Sequence, residues 1–88
     1  MSDLQAQFQQ ATQDVKQLPK RPDDKTMLTL YALYKQATEG DVQGARPTGF
    51  DFVSKAKYDA WAKVKGTSRD AAMQSYVDLV QRLQEAAH

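Results

Sequence analysis

The 88 residues predict an all-α protein: a four-helix bundle, up-down-down-up, with a long loop between helices two and three. Three observations lead there. Four stretches carry apolar residues three and four apart, the repeat of a helix with one buried face. No stretch of useful length alternates apolar and polar residues as a half-buried strand does. The connections also differ in length. Pro19 and Gly66 mark short turns, which join antiparallel neighbours, whereas Gly40 to Val53 is long enough to let helices two and three run the same way.

In helix one, Ser2 or Asp3 is the candidate cap, and Leu4, Phe8, Ala11, Val15 and Leu18 form the apolar stripe. Lys16 sits beside Val15 at the edge of that stripe. Pro19 ends the helix near Leu18, because the residue before a proline is pushed out of the helical region. Asp23 and Asp24 offer a cap and negative charge to helix two, which spans about Lys25 to Glu39. Its stripe is Leu30, Leu33, Tyr34 and Ala37, and Gly40 supplies the left-handed position after its end. The loop GDVQGARPTGFDFV shows no sustained period. Ser54 is the candidate cap of helix three, KAKYDAWAKVK, with Ala56, Ala60 and Val64 in line and Lys57 and Trp61 together on a neighbouring line. Ser68 caps helix four, where Ala72, Met73, Tyr76, Val77, Val80 and Leu83 keep helical spacing before a fraying tail, QEAAH.

Length makes residues 1–88 a single domain. There is no cysteine, hence no disulfide or thiolate metal site, and no apolar run approaches a membrane span. The first ten residues lack a secretory signal, so a cytoplasmic protein without stable membrane insertion is expected. Twelve Lys+Arg against eleven Asp+Glu give a net charge of +1, which argues against a nucleic-acid binder and suits a local basic patch for a small anion.

Catalysis is not expected. Nucleophilic chemistry needs a Ser, Cys or Lys beside an activating base, and the one histidine, His88, is terminal. The adjacent pair Asp23–Asp24 is better explained as a cap than as a metal ligand, and no Gly-rich phosphate loop is present. The basic and aromatic residues say more. Tyr31 and Lys35 are four apart on helix two and Tyr34 is three beyond Tyr31, so a flat ring, a phenol and an ammonium share a helix face. Lys57 is one turn from Trp61, beside Tyr58. Lysines converging from two helices would neutralise a compact phosphate, and tyrosine would give an aromatic ring a surface to stack on. Core packing is the simpler account of Phe8 and Trp61. Tyr31, Tyr34 and Tyr76 are harder to assign to a dry core, because a buried phenol must satisfy its hydroxyl.

LYALYKQATEGD, KAKYDAW and KVKGTSRDAAMQSYV, together with Phe8, VKQLP and the RP of the loop, resemble the acyl-CoA-binding protein family in order and spacing, over nearly the whole chain. The resemblance implies the same up-down-down-up bundle. It implies a soluble carrier that binds medium- to long-chain fatty acyl-CoA esters and passes them transiently to acyl-CoA-using enzymes, as a monomer with no cofactor beyond the ligand. By position it places Tyr31, Lys35 and Lys57 around the adenine and 3′-phosphate, with Lys16 and Tyr34 as further contributors and Tyr76 as a ligand-contacting tyrosine from helix four. Met27 and Leu28 are candidates for the acyl chain. The chain departs from the usual pattern at RPTGFD, Val53, Ser54 and Tyr58. The alternative is a helical protein-interaction bundle that uses no ligand.

Overall fold

A computed structural model describes residues 3–87. Four α-helices make up the architecture: α1 Asp3–Asp14, α2 Asp24–Glu39, α3 Phe52–Lys63 and α4 Arg69–Ala86. There is no strand among the described residues. The chain is an all-α, up-down-down-up four-helix bundle. Its packing order is α1, α4, α2, α3, with α4 in contact with both α1 and α2, and α3 resting on α2. Helices laid side by side in this way make a flat molecule, 40 × 31 × 15 Å.

The boundaries follow local chemistry. α1 gives way to a 3-10 turn at Val15–Gln17, and Leu18 is extended at ψ 135° ahead of Pro19. Asp23 caps α2 by accepting from the Thr26 amide at 2.8 Å, and Ser68 caps α4 by accepting from the Ala71 amide at 3.0 Å. Several boundaries differ from the sequence reading, and α3 ends at Lys63 rather than Lys65. Asp3 is already helical, and Ser2, the other candidate cap, lies outside the described residues. Asp51, not Ser54, caps α3, accepting from the Ser54 amide at 3.0 Å and its hydroxyl at 2.7 Å, so the helix begins earlier. The tail also stays helical through Ala86, because Leu83 still packs against the core. His88 lies outside the described residues.

The core is Phe8 and Ala11 from α1, Leu30, Leu33 and Ala37 from α2, and Ala72, Tyr76, Val77 and Val80 from α4. The predicted stripes therefore meet in part: Leu4 and Leu18 stay half-buried outside the core cluster, and Tyr34 departs further. Tyr34 lies on the α2 stripe yet is 43 % exposed, because it faces the seam where α1 and α2 approach across α4. Helix α3 contributes no fully buried residue, and its predicted stripe, Ala56 and Ala60, is only half-buried.

What fastens α3 is polar. The Gln36 side chain, 1 % exposed, donates from Nε2 to Asp41 Oδ1 and to the Thr67 carbonyl, both at 2.8 Å. Its Oε1 accepts from Trp61 Nε1 at 3.1 Å, and the same indole N–H reaches the Gly40 carbonyl at 2.9 Å. Asp41 Oδ1 also accepts from the Gly66 amide at 2.8 Å. One amide thus joins the C-terminal ends of α2 and α3 to the start of α4, which is the geometry of parallel α2 and α3. Gly40 makes the exit possible at φ 83°, ψ −150°, a region open in practice only to glycine. The loop is then pinned along α3: Tyr58 Oη donates to the Gly44 carbonyl at 2.8 Å, and Arg46 grips Asp59 through two bonds at 2.8 and 3.0 Å.

Gln36→Ala should cost about 2–4 kcal/mol in chemical denaturation, since it opens a void and strips the Thr67 carbonyl of its partner. An unchanged midpoint would contradict the role given to Gln36. The Asp41 carboxyl is held below the usual carboxylate range, first by the Gly66 amide and then by Gln36. A depressed folded pKa adds stability that is present above the unfolded value and lost as pH falls through the folded one. Acid unfolding below about pH 4 should therefore be blunted in Asp41→Asn relative to the parent, measured by circular dichroism.

Candidate functional site

The sequence put Lys35 near Tyr31 and Lys57 near Trp61, each pair one turn apart on its own helix. In the folded molecule the partners are exchanged across the α2–α3 interface. The Lys57 ammonium lies 5.2 Å from the centre of the Tyr31 ring, and the Lys35 ammonium 5.2 Å from the Trp61 ring. Both contacts are cation–π pairs, worth about 0.5–1 kcal/mol where exposed. Trp61 is accordingly not a core residue: its N–H is tied to Gln36 and Gly40 while its ring lies within reach of the Lys35 cation.

The two lysines are differently engaged. Lys35 donates to the Glu39 carboxylate one turn on, and this bond is the first reason its pKa is raised above the usual lysine value. The charges of the Tyr31 and Tyr34 phenols contribute further to the shift. Lys57 forms no ion pair among the described residues, although its charge contributes to lowering the Asp51 pKa. One ammonium group is matched by a carboxylate and the other is not.

Between α2 and α3 lies a cavity of about 600 Å³. Met27, Leu28, Phe52, Val53 and Ala56 give it an apolar wall, and Tyr31 and Lys57 stand on its lining. A second cleft of about 400 Å³ lies along the α1–α2 seam over α4, lined by Phe8, Thr12, Tyr34, Thr38, Arg69 and Met73 among others. Tyr34 stacks on Phe8 at 5.9 Å and 28° and tilts towards Tyr76 at 6.4 Å, while Phe8 meets Tyr76 edge-on at 5.1 Å. Tyr76 is 5 % exposed, and burial followed by the Tyr34 neighbour pushes its pKa up, so it remains a neutral phenol.

Of the six predicted site residues, the fold unites Tyr31, Lys35 and Lys57 across α2 and α3, with Tyr34 next on α2 and Tyr76 behind it. Lys16 makes none of these contacts. It is exposed on the 3-10 turn after α1, and its ammonium makes no hydrogen bond or ion pair among the described residues. The sequence reading missed Glu39, whose spacing of four from Lys35 was a readable signal, and Gln36, whose polarity disguises a buried position. Among the described residues no cluster of three or more His, Asp or Glu could hold a metal, and no helix is long and apolar enough to cross a membrane.

An all-α bundle with paired cations and aromatic rings at an apolar cavity defines a small binding domain for an anionic amphiphile. Comparison with known proteins makes this specific. The family model described as acyl-CoA-binding protein matches residues 5–80. A Drosophila melanogaster protein named acyl-CoA-binding protein homolog is 49% identical over 77 residues, covering 88% of this chain and 90% of its own. The rice acyl-CoA-binding protein 2 crystal structure superposes with a TM-score of 0.90 at 40% identity, covering 96% of this chain and 93% of that one. A rat protein named enoyl-CoA delta isomerase 2 is 46% identical over 87 residues, but this chain, matched over 99% of its length, spans only 22% of the isomerase. The chain belongs to the acyl-CoA-binding protein family.

Trp61 is the only tryptophan, so its emission reports on the cation beside it. Lys35→Met should change that emission while moving the unfolding free energy by less than about 1 kcal/mol. An identical spectrum would mean that the ammonium does not rest on the indole in solution.

Proposed function

We propose that this protein binds medium- to long-chain fatty acyl-CoA esters as one domain and carries them, as a soluble cytoplasmic monomer, to enzymes that use them transiently. The observation that carries the reading is the crossed pairing of Lys35 with Trp61 and Lys57 with Tyr31 beside the apolar α2–α3 cavity. Two lysines from different helices suit the 3′-phosphate, the densest charge on the nucleotide. The half-buried ring of Tyr31 and the exposed ring of Tyr34 offer stacking surfaces to adenine, with Tyr76 bracing Tyr34 from within the core. Lys16 adds its charge from the turn after α1. The acyl chain takes the wall formed by Met27 and Leu28, where each buried methylene contributes about 0.8 kcal/mol. Membership of a family named for acyl-CoA binding supports the ligand class.

A phosphate approaching Lys35 competes with Glu39. The carboxylate keeps the ammonium charged and oriented but opposes an incoming anion, so affinity reflects a difference between two ion pairs. The free energy of chain burial adds to that difference and makes the amphiphile, rather than the nucleotide alone, the preferred ligand.

Calorimetric titration with CoA, octanoyl-CoA and palmitoyl-CoA, below micelle formation, tests the reading. Binding should tighten with chain length, and palmitate without the nucleotide should bind poorly. Lys35→Ala should weaken palmitoyl-CoA about ten- to a hundredfold, the range for a lost charged hydrogen bond. Glu39→Gln should leave affinity unchanged or raise it severalfold, because the competitor is gone. No binding of any of the three CoA compounds would overturn the carrier reading and favour the protein-interaction bundle.

A further inference from the structure

The largest exposed apolar side chains gather at one corner of the molecule. Phe50 is 91 % exposed, Phe52 71 % and Val53 64 %, all at the entry to α3. Side chains this exposed rest neither on one another nor on a neighbouring helix over most of their surface. Their backbone is nonetheless braced. The turn runs through Gly49 at φ 82°, and the Asp51 carboxylate is folded back onto the Ser54 amide and hydroxyl. Three apolar groups are thus held largely in solvent by a braced turn.

The charges around them are positive on balance. The Lys55 ammonium lies 5.5 Å from the Phe52 ring centre and donates to the Gly49 carbonyl. Lys57 lines the cavity that Phe52 and Val53 also line. Neither lysine forms an ion pair among the described residues. Asp24 is paired with Arg21 at 3.2 Å, while Asp51 is bonded to the Ser54 amide and hydroxyl, neither of which cancels its charge. The corner therefore offers apolar tips flanked by two ammonium groups and one carboxylate, a net positive balance.

We propose that Phe50, Phe52 and Val53 form a docking tip for the surface of an anionic lipid bilayer, with Lys55 and Lys57 at the headgroups. Charge complementarity favours an anionic surface. Separate protruding side chains can each sink into a fluid interface, whereas a folded protein partner would need a preformed pocket for each. Phe52 and Val53 belong both to the tip and to the wall of the α2–α3 cavity, so a docked molecule turns that cavity towards the lipid. On the acyl-CoA reading given above, this is where a long-chain ester would enter; the tip itself does not depend on that reading.

The test is co-sedimentation of the protein, without added acyl-CoA, with vesicles of phosphatidylcholine alone and of phosphatidylcholine mixed with phosphatidylglycerol. Binding to the mixed vesicles is expected, reduced by added salt and weakened about tenfold by Phe50→Ser, the change expected for losing one buried apolar side chain. Phe50 does not line the cavity, so octanoyl-CoA affinity in solution should be unaltered in that variant. Absence of binding to either vesicle, equal binding by Phe50→Ser, or a concentration-dependent dimer abolished by Phe50→Ser in place of vesicle binding would each overturn the proposal. Vesicle binding by a protein that takes up no acyl-CoA would support the tip and remove only the carrier reading.

Discussion

The side-chain amide of Gln36 is the constraint on which the arrangement of the site depends. It is buried, it uses both of its hydrogens and its oxygen, and its partners come from three different segments: Asp41, Thr67 and Trp61. An unpaired amide in that position would cost several times what a typical net hydrogen bond contributes, so the four groups are satisfied together or not at all. This is how a helix with no fully buried residue keeps a definite register against α2. Once Trp61 is oriented by its N–H, its ring is placed to meet the Lys35 cation, and the same register sets Lys57 over Tyr31. The hydrophobic core holds α1, α4 and α2 together, and the polar cluster adds the fourth helix and, with it, half of the basic residues of the site.

The electrostatics of that site are differential. Lys35 is matched by Glu39 and Lys57 is not. A site of two unmatched ammonium groups would attract many anions and would repel itself; a site of two matched ones would attract few. One of each gives a moderate field in which a ligand must contribute more than charge. The apolar wall of Met27, Leu28 and Ala56 supplies that second requirement.

Much of this was legible in the sequence. The stripes containing Phe8 and Ala11, Leu30, Leu33 and Ala37, and Ala72 through Val80 became the core because periodicity reports directly which face of a helix is buried. Asp23 and Ser68 were recognisable caps for the same local reason. The parts that were not legible are those that depend on where one helix meets another. Spacing puts Lys35 beside Tyr31 on one helix, but it does not reveal that Trp61 of α3 comes opposite, and so the aromatic partners of the two lysines were exchanged. Gln36 reads as surface because glutamine usually is, and its three partners lie 5, 25 and 31 positions away. Ser54 lost the cap to Asp51 because a carboxylate three residues earlier, in a loop without periodicity, reaches both the amide and the hydroxyl of Ser54.

The shallow seating of α3 has a consequence for motion. Free energies of local opening track the apolar surface that an element buries, and α3 is the one helix of the four without a fully buried residue. Its amides should be the first of the helical ones to exchange with solvent. The Lys57 side of the site therefore rides on the most easily released segment of the fold. Any molecule bridging Tyr31 and Lys57 would bind only the seated arrangement and would draw down the opened population by mass action. Occupancy and local order are then one equilibrium, and part of the ligand's affinity is spent in holding a helix that the chain itself seats without a fully buried residue.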